Sequence, residues 1–154
     1  MAYQESPTIA SPEVLINQMM TFAAANGWTV DRNNLVGGNR TATLHKTGVT
    51  DYVHVYNSDA TSVRMRVSIG YDAGATPALQ PNVSGEHQTL LGAGPYPNTF
   101  FFGSQGQLWL TVAIAASGEY RHFTCGCLDK NGEYDGGTYV DGTYWDTASY
   151  AASF

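Results

Sequence analysis

The chain has 154 residues, with seven Lys plus Arg against thirteen Asp plus Glu, a formal net charge of -6 and only 13% charged residues, where about 25% is usual. Its basic residues, Arg32, Arg40, Lys46, Arg64, Arg66, Arg121 and Lys130, are scattered, which argues against specific nucleic-acid binding, since that needs a concentrated positive field. No apolar run reaches the ~18 residues of a membrane span and the first residues lack a secretory pattern, so a protein made soluble and without a membrane partner is expected.

Taken in order, residues 1–10 are polar, contain Pro7, and read as an extended N-terminal arm, ordered only if something holds it. Residues 11–154 read as a single domain. Ser11-Pro12-Glu13 is a helix start, with a serine oxygen to cap free amides and proline at the first helical position. Val14, Leu15, Met19, Phe22 and Ala23 recur near the helical period, with Ile16 and Met20 widening the stripe, so the helix should pack one face on a sheet. Asn26-Gly27 ends it.

Trp28 to Arg32 should open the sheet, with a loop from Asn33 to Arg40. Thr41–Lys46 and Asp51–Tyr56 alternate around Thr47-Gly48-Val49-Thr50 and predict a hairpin. In it His54 shares a face with Tyr52 and Tyr56, and Val53 and Val55 take the other. Ser62 to Tyr71 is a half-buried strand with Val63, Met65, Val67 and Ile69 on one face. Its Arg64 and Arg66, on the other face, should meet solvent or acids from a neighbouring strand. Residues 72–98 hold four of the six prolines and read as a long loop reaching another subunit.

Thr99 to Gly103, with three consecutive phenylalanines, leads into a central hairpin. Leu108–Ala115 has the apolarity of a strand buried on both faces, and Ser117-Gly118 turns into Tyr120–Leu128. The fold class is therefore α+β, mostly β: an N-terminal amphipathic helix packed on an antiparallel sheet or sandwich of six to eight strands, with a long loop and an aromatic C-terminal extension. Cys125 and Cys127 share a strand face about 6.6 Å apart, too far for a disulfide, and should be free thiols.

No catalytic constellation stands out, and no cofactor or metal is expected. His122, Cys125 and Cys127, with His45, His54 or His87, could offer zinc ligands, but C-x-C in a strand separates the thiols and His122 takes the opposite face. Asp129, Glu133, Asp135, Asp141 and Asp146 lie among tyrosines, which leaves a cell-wall glycoside hydrolase as a remote reading. Acids alternating with glycine are more simply solvated turn residues.

The stretch His122-Phe123-Thr124-Cys125-Gly126-Cys127-Leu128-Asp129-Lys130, followed by Gly132-Glu133-Tyr134-Asp135-Gly136-Gly137-Thr138-Tyr139, resembles a hairpin and glycine-tyrosine loop of structural proteins in tailed-bacteriophage virions. The resemblance covers roughly the last third of the chain. It implies a virion assembly component rather than an enzyme, located in the tail, baseplate or neck, present in a symmetric ring, with copies of itself and other virion proteins as partners. Candidate subunit anchors are Tyr96, Tyr134, Tyr139, Tyr144, Trp145 and Phe154, because large rings contribute contact area at low entropic cost. The alternative is a carbohydrate- or receptor-binding module using the same tyrosines to stack on sugar.

Overall fold

A computed structural model describes residues 1–104, 106–114, 118–128, 137–142 and 151–153. Tyr134, Tyr144, Trp145 and Phe154, and the acids Asp129, Glu133, Asp135 and Asp146, lie outside the described residues. Among those described the chain is mostly β, with one α-helix and two antiparallel sheets.

The strands are β1 (Ala2–Ser6), β2 (Trp28–Val36), β3 (Asn39–Lys46), β4 (Asp51–Tyr56), β5 (Ser62–Ile69), β6 (His87–Leu90), β7 (Thr99–Gly103), β8 (Gln107–Ile114), β9 (Glu119–Leu128), β10 (Gly137–Gly142) and β11 (Ala151–Ser153); the helix α1 is Pro12–Ala25. Strands β2 to β6 form a five-stranded sheet in sequence order. The six-stranded sheet runs β1-β7-β8-β9-β10-β11, so the chain's first strand reaches across to its second half.

The two sheets share one core. Leu44, Val53, Val55, Val63, Met65 and Val67 of the first sheet meet Phe101, Leu108, Leu110, Val112, Phe123, Cys125 and Val140 of the other in a single buried cluster. Each set alternates along its strands, as a period of two requires when one face turns inward. At the end where β10 lies over β4, β5 and β6, the sheets come close enough to exclude a side chain. A Cβ on Gly142 would sit 2.7 Å from His87 Nε2, 2.8 Å from Thr89 Oγ1 and 2.9 Å from the His122 carbonyl oxygen. Gly142→Ala should therefore cost about 1–3 kcal/mol by overpacking, read as a lower urea midpoint at unchanged slope; an unchanged midpoint would mean the sheets separate freely there.

At the other end α1 is a wedge between the sheets. The expectation of one packed face gives way to contact with β2, β3, β4 and β5 on one side and β7 on the other. Leu15, Ile16, Met19, Met20, Phe22 and Ala23 are all buried, which is why the apolar stripe is wide. Phe22 lies 5.7 Å from Phe101, centroid to centroid. Ser11 does not cap with its side chain as the sequence suggested: its backbone carbonyl accepts from the Leu15 amide at 3.0 Å, and its hydroxyl oxygen is buried with no hydrogen-bond partner among the described residues.

Three further expectations change. The N-terminal arm is held within the chain, since Ala2 to Ser6 pair with Gly103 to Thr99. The region from Asn33 to Arg40 is mostly paired strand, with β2 and β3 continuing to Val36 and Asn39 around Gly37 and Gly38, both at positive φ. Residues 72–98 are not structureless. They make a 3-10 turn at Pro77–Leu79, tie Ser84 to both backbone groups of Val67, and supply β6, paired with β5 from His87 to Leu90. Prolines and glycines hid this because a four-residue edge strand carries too little periodicity to read.

Candidate docking face

The outward face of the six-stranded sheet is aromatic and open. Strand pairing sets Tyr3 opposite Phe102, and Phe102 opposite Trp109. Trp109 is in turn opposite Thr124, and Thr124 opposite Asp141. The next row sets Glu5, Phe100, Thr111 and His122 side by side. Tyr3 is 57% exposed, Trp109 53% and Tyr120 51%, values far above those of core aromatics. The Tyr3 and Phe102 rings are 5.3 Å apart, and Trp109 meets the His122 ring edge-on at 6.4 Å.

A groove of about 310 Å³ opens in this face, lined by Phe102, Ser104, Gln107, Trp109 and Thr111. Beside it Tyr139 of β10 leans across β9, because Gly126 opposite has no side chain: a Cβ there would lie 2.9 Å from the tyrosine ring and 2.8 Å from the Gly106 carbonyl oxygen. The Tyr139 hydroxyl is hydrogen-bonded to Thr124 and Gln107, and burial raises its pKa despite them. Tyr139 is thus partly buried on the sheet rather than free.

Leu108–Ala115 was expected to be buried on both faces, and the structure corrects this. Leu108, Leu110 and Val112 are buried while Trp109 is not. Trp109 was missed as a site residue for that reason, and Tyr3 because residues 1–10 read as an arm; the available signal was Trp109-x-Thr111 alternating with three aliphatics. Tyr96, an expected anchor, is in the core at 1% exposure. It bridges to Ile9 through both backbone hydrogen bonds, and its hydroxyl donates to the Gly92 carbonyl at 2.9 Å. Its ring has no surface to offer a second subunit.

No protein-family model and no curated protein sequence matches this chain.

The outward face of the five-stranded sheet is closed by contrast. Tyr71 stacks on Tyr52 at 5.3 Å and lies 6.5 Å from His54. Arg32 lies over the Tyr71 ring, 5.5 Å from its centroid. Its guanidinium donates to the carbonyls of Ala75 at 2.9 Å, Asp72 at 3.4 Å and Ala73. Gln80, 4% exposed, secures the same turn by accepting from the Asp72 amide and donating to the Asp72 and Ala75 carbonyls.

Under this cover His54 is fully buried between hydroxyls. Its Nδ1 is 3.1 Å from Thr43 Oγ1, its Nε2 is 2.7 Å from Ser68 Oγ, and Ser68 donates to the Gly70 carbonyl at 2.8 Å. A serine proton already given to a carbonyl leaves Nε2 as the donor to Ser68 and Nδ1 as acceptor from Thr43. The arrangement therefore lacks a base aimed at the serine hydroxyl, and it is closed to substrate. Burial, then the charges of Arg32 and Arg66, lower the imidazole pKa to about 4.

Arg64 and Arg66 converge on Glu86, at 2.9 Å and 3.3 Å. Tyr56 donates to the same carboxylate, and burial first, then that bond, push its phenol up to about 12. Burial would raise the Glu86 carboxyl, but Tyr56 and the two guanidinium groups outweigh it and hold it below the usual range. These arginines are spent within the fold. Among the described residues no three His, Cys, Asp or Glu side chains converge on a metal-sized site, and no helix is long and apolar enough to cross a membrane.

Proposed function

We propose that this chain is a structural component of a tailed-phage virion, in the tail, baseplate or neck, that assembles in a symmetric ring and acts by docking rather than catalysis. The observation that carries the reading is the uncovered aromatic face of the six-stranded sheet, with Tyr3, Trp109 and Tyr120 each more than half exposed. A protein with few charges can bury such a face against a partner at little desolvation cost. The stretch that resembles virion proteins supports the same reading: its residues His122 to Leu128 lie in β9, and Gly137 to Tyr139 in β10, both strands of this sheet.

Trp109→Ala is expected to reduce incorporation into particles several-fold while lowering the melting temperature of the isolated chain by only a few degrees, because about half of the residue is already in water. Full incorporation of the variant would remove this face from the assembly reading.

A second reading draws on one feature, Tyr139 leaning over Gly126 close to Trp109, with Thr124, Gln107 and Asp141 as polar neighbours. Aromatic faces beside hydrogen-bonding groups also suit the apolar face and hydroxyls of a sugar. Binding on a glycan array that Trp109→Ala abolishes would favour a carbohydrate-binding module over an assembly surface.

A further inference from the structure

The segment from Tyr71 to Gln80 lies over the outward face of the five-stranded sheet as a lid. Its two ends are close together, because a Cβ on Gly70 would lie 3.6 Å from Pro81 Cβ. A surface loop closed at its base in this way can lift without disturbing the strands it leaves. It also holds its own shape. The Asp72 carboxylate accepts from the Gly74 amide at 2.7 Å, the Ala75 and Leu79 amides donate back to the Asp72 and Thr76 carbonyls, and the Gln80 side chain closes on Asp72 and Ala75. No residue from Asp72 to Leu79 is buried, so apolar packing does not hold the lid down.

Two groups fasten it to the sheet. Arg32 of β2 donates to the carbonyls of Asp72, Ala73 and Ala75, and the Tyr71 ring lies against Tyr52, His54 and Arg32. Beneath them His54 is walled in by Thr43 of β3 and Ser68 of β5 at its ring nitrogens, with Tyr71 above and the positive charges of Arg32 and Arg66 acting on it. The acids of these elements are engaged elsewhere: Glu86 with Arg64, Arg66 and Tyr56, Asp31 with His45, Asp51 with Thr138, and Asp72 with its own turn. An imidazolium in this place has two positive neighbours and little access to water. Lifting the lid admits water and frees Arg32 to swing away, so the guanidinium that ties the lid is also one that a charged His54 repels.

We infer that residues 71–80 are a proton-operated lid, opened locally when His54 takes up a proton and tied down by Arg32 when the ring is neutral. Acid then uncovers the Tyr52 and His54 rings on a sheet face that is closed at neutral pH, while both sheets stay folded. The two-state element is the loop itself, and the proton biases it because it binds the open form better. This device does not depend on the assembly reading, which uses the other sheet.

The test is limited proteolysis of the full chain with papain from pH 7 to pH 5, the cleavage rate within residues 71–80 being divided at each pH by that of a free peptide of residues 69–82. With His54 at about 4 when covered and 6.5 when free, this ratio should rise roughly twentyfold over the two pH units, while cleavage outside the lid stays slow. His54→Gln should make the ratio independent of pH. Arg32→Met should raise it at pH 7 and make its pH dependence shallower, since both the tie and one opposing charge are gone. A flat wild-type ratio overturns the proposal, as does cleavage that rises in parallel inside and outside the lid, which would mean that the proton unfolds the whole chain. A slope that persists in folded His54→Gln assigns the proton to another group and also overturns it. If thermal melting shows that His54→Gln does not fold, Arg32→Met decides: an unchanged slope there removes the coupling between lid and imidazole.

Discussion

Acidification from about pH 6.5 toward 4 is expected to remove about 3 kcal/mol of folding stability through one residue, His54. Its imidazole has a pKa of about 4 in the fold against 6.5 when free. Below 6.5 the unfolded chain takes up a proton that the folded chain refuses, so stability is complete above the free value and falls as pH drops through the window. Two and a half units at about 1.36 kcal/mol each set the size. The cause is burial first and then charge: the ring lies inside the fold under Tyr71, and Arg32 and Arg66 oppose a positive charge on it.

The check is a set of urea midpoints at closely spaced pH values. His54→Gln can keep one acceptor and one donor, so it should lower stability at pH 7 while flattening the pH dependence. A wild-type midpoint that is constant between pH 6.5 and 4.5 would show that His54 protonates without penalty. The carboxylate of Asp59 adds to this loss mainly at and beneath the acid end of the window. Burial would raise Asp59, but hydrogen bonds from Thr61 and Ser62 outweigh it and hold that group to about 2.

Arg32→Met should release the cover itself, costing about 2–3 kcal/mol, the range for hydrogen bonds from a charged donor. Arg32 binds the carbonyls of Asp72, Ala73 and Ala75, and it spans from β2 to a segment forty residues later. Methionine retains the apolar stem over Tyr71 but offers no donor, so the three carbonyls must turn to water. Faster limited proteolysis within residues 71–80 is the expected readout, with cleavage elsewhere little changed. The same substitution removes a positive charge from beside His54, so the imidazole pKa should rise toward its free value and the stability lost through it on acidification should shrink. The two effects share Tyr71 and will not add with those of His54→Gln. An unchanged cleavage rate would locate the anchor in Gln80 instead, whose buried amide makes its own bonds to the turn.

Much of the fold was legible because alternation is a strong signal where one face is buried. The hairpin β3–β4 follows from apolar residues at every second position around a glycine turn, β8–β9 from a continuous apolar run before Ser117-Gly118, and β5 shows Val63, Met65 and Val67 on one face. The helix was legible for the same reason at another period. What alternation could not show was which partner strand each edge would choose. Residues 2–6 read as an arm because AYQES carries no apolar face of its own, and its strand pairing depends on Thr99 to Gly103 nearly a hundred residues away.

The candidate site was less legible. Tyr139 reads as an anchor in sequence, but only the register of β9 and β10 sets it opposite Gly126, where its ring leans across the sheet. Tyr96 looks like any loop aromatic among prolines, and its burial comes from bridging to Ile9. Trp109 sits in a run so apolar that its exposure is invisible until the sheet is assembled.

By itself the sequence determined the local elements and their inward faces, the neutrality of the surface, and free cysteines in a strand, because spacing and composition act over a few residues. Tertiary structure alone decided that residues 72–98 fold back to bury His54, that β1 completes the second sheet, and that the six-stranded sheet keeps an aromatic face in water. Those outcomes depend on pairing between distant segments, where the free energy lies in which surfaces meet rather than in any one stretch of chain.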